Sequence, residues 1–143
     1  REMTRQLLEG PLVRFDETAQ PVLDEAKPKG IFDGRMWAYR DAEPGQVVFV
    51  YTSDKTHEAR RGPKELLAAY LGYLQADAAG IFDVLFEDGT RVEIGCNAHA
   101  RRYFKKAKDS EPEAAQWALG IYQQLYKVES EAKERGLTPE QRL

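Results

Sequence analysis

Three β-rich runs follow one another early in the chain with only loop-forming residues between them, and no other feature limits the fold as much. The runs are LVRFDETAQPVL (12–23), RMWAYRD (35–41) and QVVFVYTSD (46–54). Between the first two lies DEAKPKGIFDG (24–34), charged and rich in Pro and Gly, and between the last two lies the turn signal AEPG. Consecutive strands joined in this way pair antiparallel, as a meander. In the first run the alternation puts Leu12, Arg14, Asp16 and Thr18 on one face and Val13, Phe15 and Glu17 on the other. The strand pattern holds to about Thr18, and Pro21 then predicts a sheet edge or an exit from the sheet.

The flanking segments are helical or alternate between helix and strand. REMTRQLLE (1–9) has the composition of a helix end, stopped by Gly10-Pro11. GPKELLAAYL (62–71) predicts a helix with Pro63 in its first turn, YLQAD (73–77) a strand, and GIFDVLF (80–86) a short helix. A turn at Glu87-Asp88-Gly89 leads into RVEIGC (91–96), which alternates like a strand. From Ala98 the pattern is helical to the end, with breaks near Asp109–Pro112 and Gly136. The order βββαβαβα with a helical extension predicts an α/β fold with a mixed sheet, three antiparallel strands and then alternating helices and strands, the order of ribonuclease H-like folds.

Composition removes several classes of function. With 143 residues, 42% hydrophobic and 31% charged, the chain suits one globular domain rather than a disordered segment. No apolar run approaches a membrane span, and no signal peptide stands at the N-terminus. The single cysteine, Cys96, rules out an internal disulfide and suits a reducing cytoplasm. A net charge of −3 argues against a domain whose whole task is coating nucleic acid. It leaves room for an enzyme acting on nucleic acid, whose metal-dependent site is itself built of carboxylates. The chain starts at Arg1 without an initiator Met and ends in mid-helical composition, which leads us to expect a fragment of a longer protein.

Two acidic residues occupy strand positions that such a sheet can bring together: Asp16, in the middle of the first strand, and Asp77, at the end of the fourth. On neighbouring strands, both carboxylates would reach one end of the sheet, where hard oxygen donors suit Mg²⁺ together with waters and phosphates. The competing reading makes Asp16 an exposed strand residue and Asp77 a cap for the helix from Ala78. Cys96 and His99 form a C-x-x-H, short of a zinc site because one Cys and two His cannot supply four ligands from this pattern. The plain alternative is a partly buried His at a helix start beside a small core Cys. In ARRYFKKAK (100–108), Arg101 and Lys105 share one helical face and Arg102 and Lys106 another, either solvated or facing phosphates. His57 fits an exposed loop. Trp37, Tyr39, Phe49 and Tyr51 suit core or sheet-face positions, and Trp117, Leu119, Ile121, Tyr122, Leu125 and Val128 form an amphipathic helical stripe available for packing or dimerisation.

"FDET", "GYLQAD" and "GCNAHARRYF", in this order and at these separations, resemble the transposases of the bacterial insertion-sequence-sixty-six family, DDE recombinases with a ribonuclease H-like core. GRMWAYRD resembles the family's Trp-containing second strand, and LYKVESEAKERGLTPEQRL the helical segment that interrupts the core before its last part. The resemblance covers nearly the whole chain from about Leu12. It implies a partial catalytic core over 1–108 and a truncated helical insertion over 109–143.

The same resemblance implies that Asp16 and Asp77 are the first two catalytic carboxylates, holding two divalent ions, Mg²⁺ or Mn²⁺. One ion would activate a water or a DNA 3′-hydroxyl and the other would stabilise the leaving oxygen. His99 would contact the scissile phosphate or order the site, and Arg101, Arg102 and Lys105 would reach the DNA backbone. Glu111 and Glu113 stand at separations from Asp77 that resemble compact retroviral-type integrases. In the resembled family, however, the final Glu follows the helical insertion, in an Asn-rich segment that these 143 residues do not contain. The implied partners are transposon ends and target DNA, with a homo-oligomer through the apolar stripe and no membrane, in the bacterial cytoplasm at the nucleoid. The fragment alone is then expected to be inactive or nearly so. A ribonuclease H-like nuclease and a non-catalytic DNA- or partner-binding scaffold are the alternatives.

Overall fold

The computed structural model describes residues 2–26, 30–42, 45–53, 62–138 and 140–142. The chain divides into two compact units, residues 1–96 and 97–143.

The first unit is built on a mixed five-stranded sheet. Strands β1 (Leu12–Leu23), β2 (Ile31–Asp41) and β3 (Val47–Thr52) form the expected antiparallel meander. Strands β4 (Tyr73–Ala76) and β5 (Val92–Gly95) run parallel to β1 and to each other, giving the order β3-β2-β1-β4-β5. The α/β class and the mixed sheet read from the sequence are therefore present, with β1 at the centre.

One face of this sheet carries the core. Val13, Phe15, Trp37, Tyr39, Leu74 and Ala76 are buried there by strand alternation. Helix α1 (Glu2–Glu9) brings Leu7 to the same core, the turn after the short helix α2 (Pro63–Leu66) brings Leu67 and Tyr70, and a 3-10 helix over Gly80–Leu85 brings Phe82 and Leu85. The Phe82 ring stands edge-on to Phe15 at 5.0 Å, and the Trp37 indole N–H donates to Thr52 Oγ1 at 3.0 Å, so the largest buried ring has its polar atom satisfied. Each large side chain buried this way contributes roughly 1.5–3 kcal/mol.

Two boundaries differ from the sequence expectation for physical reasons. β1 does not stop near Thr18 but runs through Pro21 to Leu23. β4 pairs only with Leu12–Arg14, whereas Pro21 sits opposite Asp33 of β2, so the proline lies where β1 has an open side and its missing N–H interrupts no second ladder. The extension draws β2 back to Ile31, into the stretch read as loop. Gly34 fits inside that strand because the Tyr51 ring lies over it: a Cβ there would come within 2.5 Å of the ring. The helix expected over 62–71 is confined to Pro63–Leu66. The end of the third run at Asp54, and His57, lie outside the described residues.

The second unit is a helical hairpin. Helix α3 (Asn97–Lys106) passes through a 3-10 turn over Ala107–Asp109 into α4 (Pro112–Glu134). The expected break is present, with Pro112 opening α4, where its missing N–H leaves no helical bond unmade. Phe104 packs against Tyr122 with ring centroids 5.9 Å apart. Among the described residues no helix is long and apolar enough to cross a membrane.

A candidate metal centre on the open sheet face

The face of the sheet opposite the core is open and includes Asp16. Along β1, Val13 and Phe15 are buried while Arg14 and Asp16 are exposed. Along β4, Leu74 and Ala76 are buried while Tyr73 and Gln75 face the other way. Large apolar side chains also lie exposed on this face, with Phe49 at 66% and Tyr73 at 48%.

The register sets the relation between the two candidate carboxylates. β1 and β4 are paired in parallel through Leu12↔Tyr73, Val13↔Leu74 and Arg14↔Gln75. The pairing ends there; two residues further along each segment stand Asp16, still within β1, and Asp77, directly after β4. Two residues earlier on the same face, Arg14 Nε donates to Gln75 Oε1 at 3.0 Å, and Gln75 Nε2 donates to the Gly95 carbonyl at 3.2 Å, linking β1, β4 and β5. Beside Asp16 on β2 stands Ala38, whose small side chain leaves the carboxylate accessible.

Each carboxylate is oriented by backbone. Asp16 Oδ1 accepts from the Glu17 N–H at 2.9 Å, and Asp77 Oδ1 accepts from the Ala79 N–H at 3.2 Å. The 3-10 helix begins at Gly80, with Ala79 as its N-cap residue and no side-chain cap, so Asp77 closes a tight turn ahead of the helix instead of capping it. Between them Ala78 has φ +57°, a left-handed conformation that costs an alanine about 1–2 kcal/mol. This left-handed residue follows Asp77 directly, where the chain leaves the end of β4.

Among the described residues no group of three or more His, Cys, Asp or Glu stands close enough to hold a metal ion. What the sheet supplies is a pair of carboxylates. Such a pair fits Mg²⁺ or Mn²⁺ in donor type, because these ions take one or two protein carboxylates and fill the remaining positions with water and phosphate oxygens.

The other candidates belong to the second unit. His99 is half-buried in the first turn of α3; Arg101, half-buried, and the exposed Lys105 share one side of that helix, and Arg102 is exposed. Glu111 precedes α4 and Glu113 lies in its first turn, both exposed. Asp16 and Asp77 thus belong to the first unit, each two residues beyond the last β1–β4 pair, and His99 and the basic residues to the hairpin. The sequence reading passed over Arg14 and Gln75, although Arg14 has the same strand parity as Asp16. It had no signal for the strained Ala78.

The model of a family described as "Transposase IS66 family" matches residues 1–143, the whole chain. Neither the curated proteins nor the solved structures yielded a match. With the entire length covered, the chain belongs to the IS66 transposase family.

Proposed function

We propose that this chain is the partial catalytic core of a DDE-type transposase with a ribonuclease H-like fold, in which Asp16 and Asp77 hold divalent metal for cleavage and transfer of DNA strands. The observation that supports this reading most is the parallel pairing of β1 with β4, whose last paired residues, Arg14 and Gln75, each stand two residues before an aspartate. Membership of a transposase family and the three-antiparallel-then-parallel strand order support it.

In this reading residues 1–108 are the core and 109–143 a helical insertion. Bound Mg²⁺ or Mn²⁺ would supply Lewis-acid chemistry at the phosphodiester, activating the attacking hydroxyl and stabilising the leaving oxygen. The chain's own residues have simpler tasks. Asp16 and Asp77 offer carboxylate oxygens, one of each accepting from a nearby backbone N–H. Arg14 and Gln75 keep the two strands in step beneath them. His99 orders the scissile phosphate, and Arg101, Arg102 and Lys105 contact the backbone of transposon-end or target DNA. Two carboxylates leave the site one short of the three that a DDE centre uses, so the 143-residue chain by itself is expected to be inactive or nearly so. The work would be done at the nucleoid of a bacterial cytoplasm, by an oligomer that pairs two DNA ends.

Two measurements test the reading. Mn²⁺ binding to the 143-residue chain, followed by electron paramagnetic resonance, should weaken by at least about tenfold in both Asp16→Asn and Asp77→Asn. Strand transfer by the transposase carrying this sequence should be lost in the same variants. Normal transposition by Asp77→Asn would sink the assignment.

A further inference from the structure

Past Arg14, β1 pairs with β2 alone among the described residues, because β4 reaches only Leu12–Arg14. β3 reaches back only to Arg35 of β2, so Gln20–Leu23 and Ile31–Gly34 form a two-stranded ribbon beyond the rest of the sheet. Its tip is apolar: Leu23 is 83% exposed and stands opposite Ile31, 48% exposed. A free edge beside such residues is a template for a strand from another chain. In an antiparallel strand the N–H and C=O of one residue point to the same side, and successive residues alternate. Two bonds fix which residues point where. The Pro11 carbonyl accepts from the Tyr73 N–H at 3.0 Å on the β4 side, and the Asp24 N–H donates to the Gly30 carbonyl at 2.9 Å on the β2 side. Odd-numbered residues of β1 therefore turn their backbone groups to the β4 side, and Glu17, Ala19, Pro21 and Leu23 line the free edge.

We infer that Asp16, Gln20 and Pro21 close this edge to strand addition and so keep a second copy of the chain from pairing with β1. Asp16 Oδ1 accepts from the Glu17 N–H at 2.9 Å, so the first outward donor is occupied by the side chain next to it. Pro21 has no N–H to offer. Its carbonyl has Gln20 Nε2 at 3.5 Å, a long contact that still covers the acceptor. The outward donors that remain, on Ala19 and Leu23, are separated by the proline. An incoming strand therefore meets no two successive donors, whereas an uncovered Glu17 and a non-proline residue at position 21 would give it a continuous row. The inference does not draw on the transposase reading. It gives Asp16 a structural task that needs no metal and that an amide oxygen in the same place performs equally well.

The test is the assembly of the 143-residue chain in EDTA, followed by thioflavin T fluorescence and light scattering, so that no bound metal contributes. Asp16→Ala uncovers the Glu17 N–H and Pro21→Val adds an N–H at position 21. Each restored donor should favour strand pairing roughly fivefold, so the double variant should assemble at least about tenfold faster than the wild type. Asp16→Asn loses the same charge as Asp16→Ala but keeps an acceptor oxygen, and should stay at the wild-type rate. Thr18→Val adds apolar surface on an exposed residue whose N–H points to β2, and it too should stay near that rate. By amide exchange, the Glu17 N–H should be protected in the wild type and in Asp16→Asn and exposed in Asp16→Ala. A double variant that assembles like the wild type overturns the inference. So does equal acceleration by Asp16→Asn or Thr18→Val, or an unprotected Glu17 N–H in the wild type. The metal reading fails separately, because Asp16→Asn is expected to lose Mn²⁺ binding while leaving the edge closed.

Discussion

Arg14 donates to Gln75 at 3.0 Å across the parallel pairing of β1 and β4, at the last paired position before Asp16 on one segment and Asp77 on the other. The arrangement places a fixed positive charge roughly 7 Å from Asp16 on the same face, the distance of two residues along a strand. That charge opposes a divalent ion bound there. Replacing Arg14 by Gln keeps a hydrogen-bond donor for Gln75 and removes the charge. Mn²⁺ should then bind roughly threefold more tightly at low ionic strength, with the difference fading as salt is raised. An unchanged affinity at low salt would place the ion away from Asp16.

The turn after Asp77 offers a test of backbone strain. Ala78 at φ +57° is the one described non-glycine residue with positive φ. A glycine there escapes the left-handed penalty of about 1–2 kcal/mol and gives back about 0.5–1 kcal/mol through the unfolded chain, for a net gain of up to about 1.5 kcal/mol. Ala79, at φ −72° and ψ 133°, pays no such penalty, so Ala79→Gly should only destabilise. Urea unfolding of both variants checks the sign. Destabilisation by Ala78→Gly would mean that the methyl group, and not the backbone conformation, matters at this turn.

How far these features were legible follows from the kind of signal each leaves. Parity along β1 is written directly in LVRFDET, because a strand alternates with period two, and it gave the face of Asp16 correctly. The full length of β1 was hidden by Pro21, whose local message is to break a strand. It is tolerated only because β4 reaches no farther along β1 than Arg14, a tertiary fact. Gly34 misled in the same way, since the Tyr51 ring that covers it comes from a neighbouring strand. The shared face of Arg101 and Lys105 was visible at helical spacing. Ala78 carries no mark at all, because the residues that advertise left-handed turns are Gly and Asn.

The core contains a polar atom with no evident use. Tyr39 is fully buried, its hydroxyl has no hydrogen-bond partner among the described residues, and burial pushes its ionisation well above the ordinary tyrosine range. Phe15 stacks near the same ring, with centroids 6.1 Å apart. Removing the hydroxyl removes a desolvation cost and leaves the ring packing unchanged, so Tyr39→Phe should raise unfolding stability by about 1 kcal/mol. A loss of similar size would show that the hydroxyl is bonded in solution.

A last expectation concerns acid. Asp88 in the turn before β5 has its carboxyl held down to about 2 from an ordinary 3.8, first by the Thr90 hydroxyl at 2.6 Å, then by the Thr90 N–H at 3.0 Å, with Arg91 adding a further bond at 3.0 Å. Arg91 also donates to the carbonyls of Leu85, Leu67 and Ala68, so the turn is tied to two other segments of the first unit. A carboxylate with a depressed folded value favours folding above its unfolded value and loses that contribution as pH falls through the folded one. The contribution of this turn should therefore be complete above about pH 4 and fade toward about pH 2. A carboxyl-detected NMR titration should place the Asp88 midpoint near 2, and Thr90→Val should move it up toward 3.8 because the largest cause has been removed. If the midpoint stays low in Thr90→Val and rises in Arg91→Met instead, the arginine governs the turn and the hydroxyl is secondary.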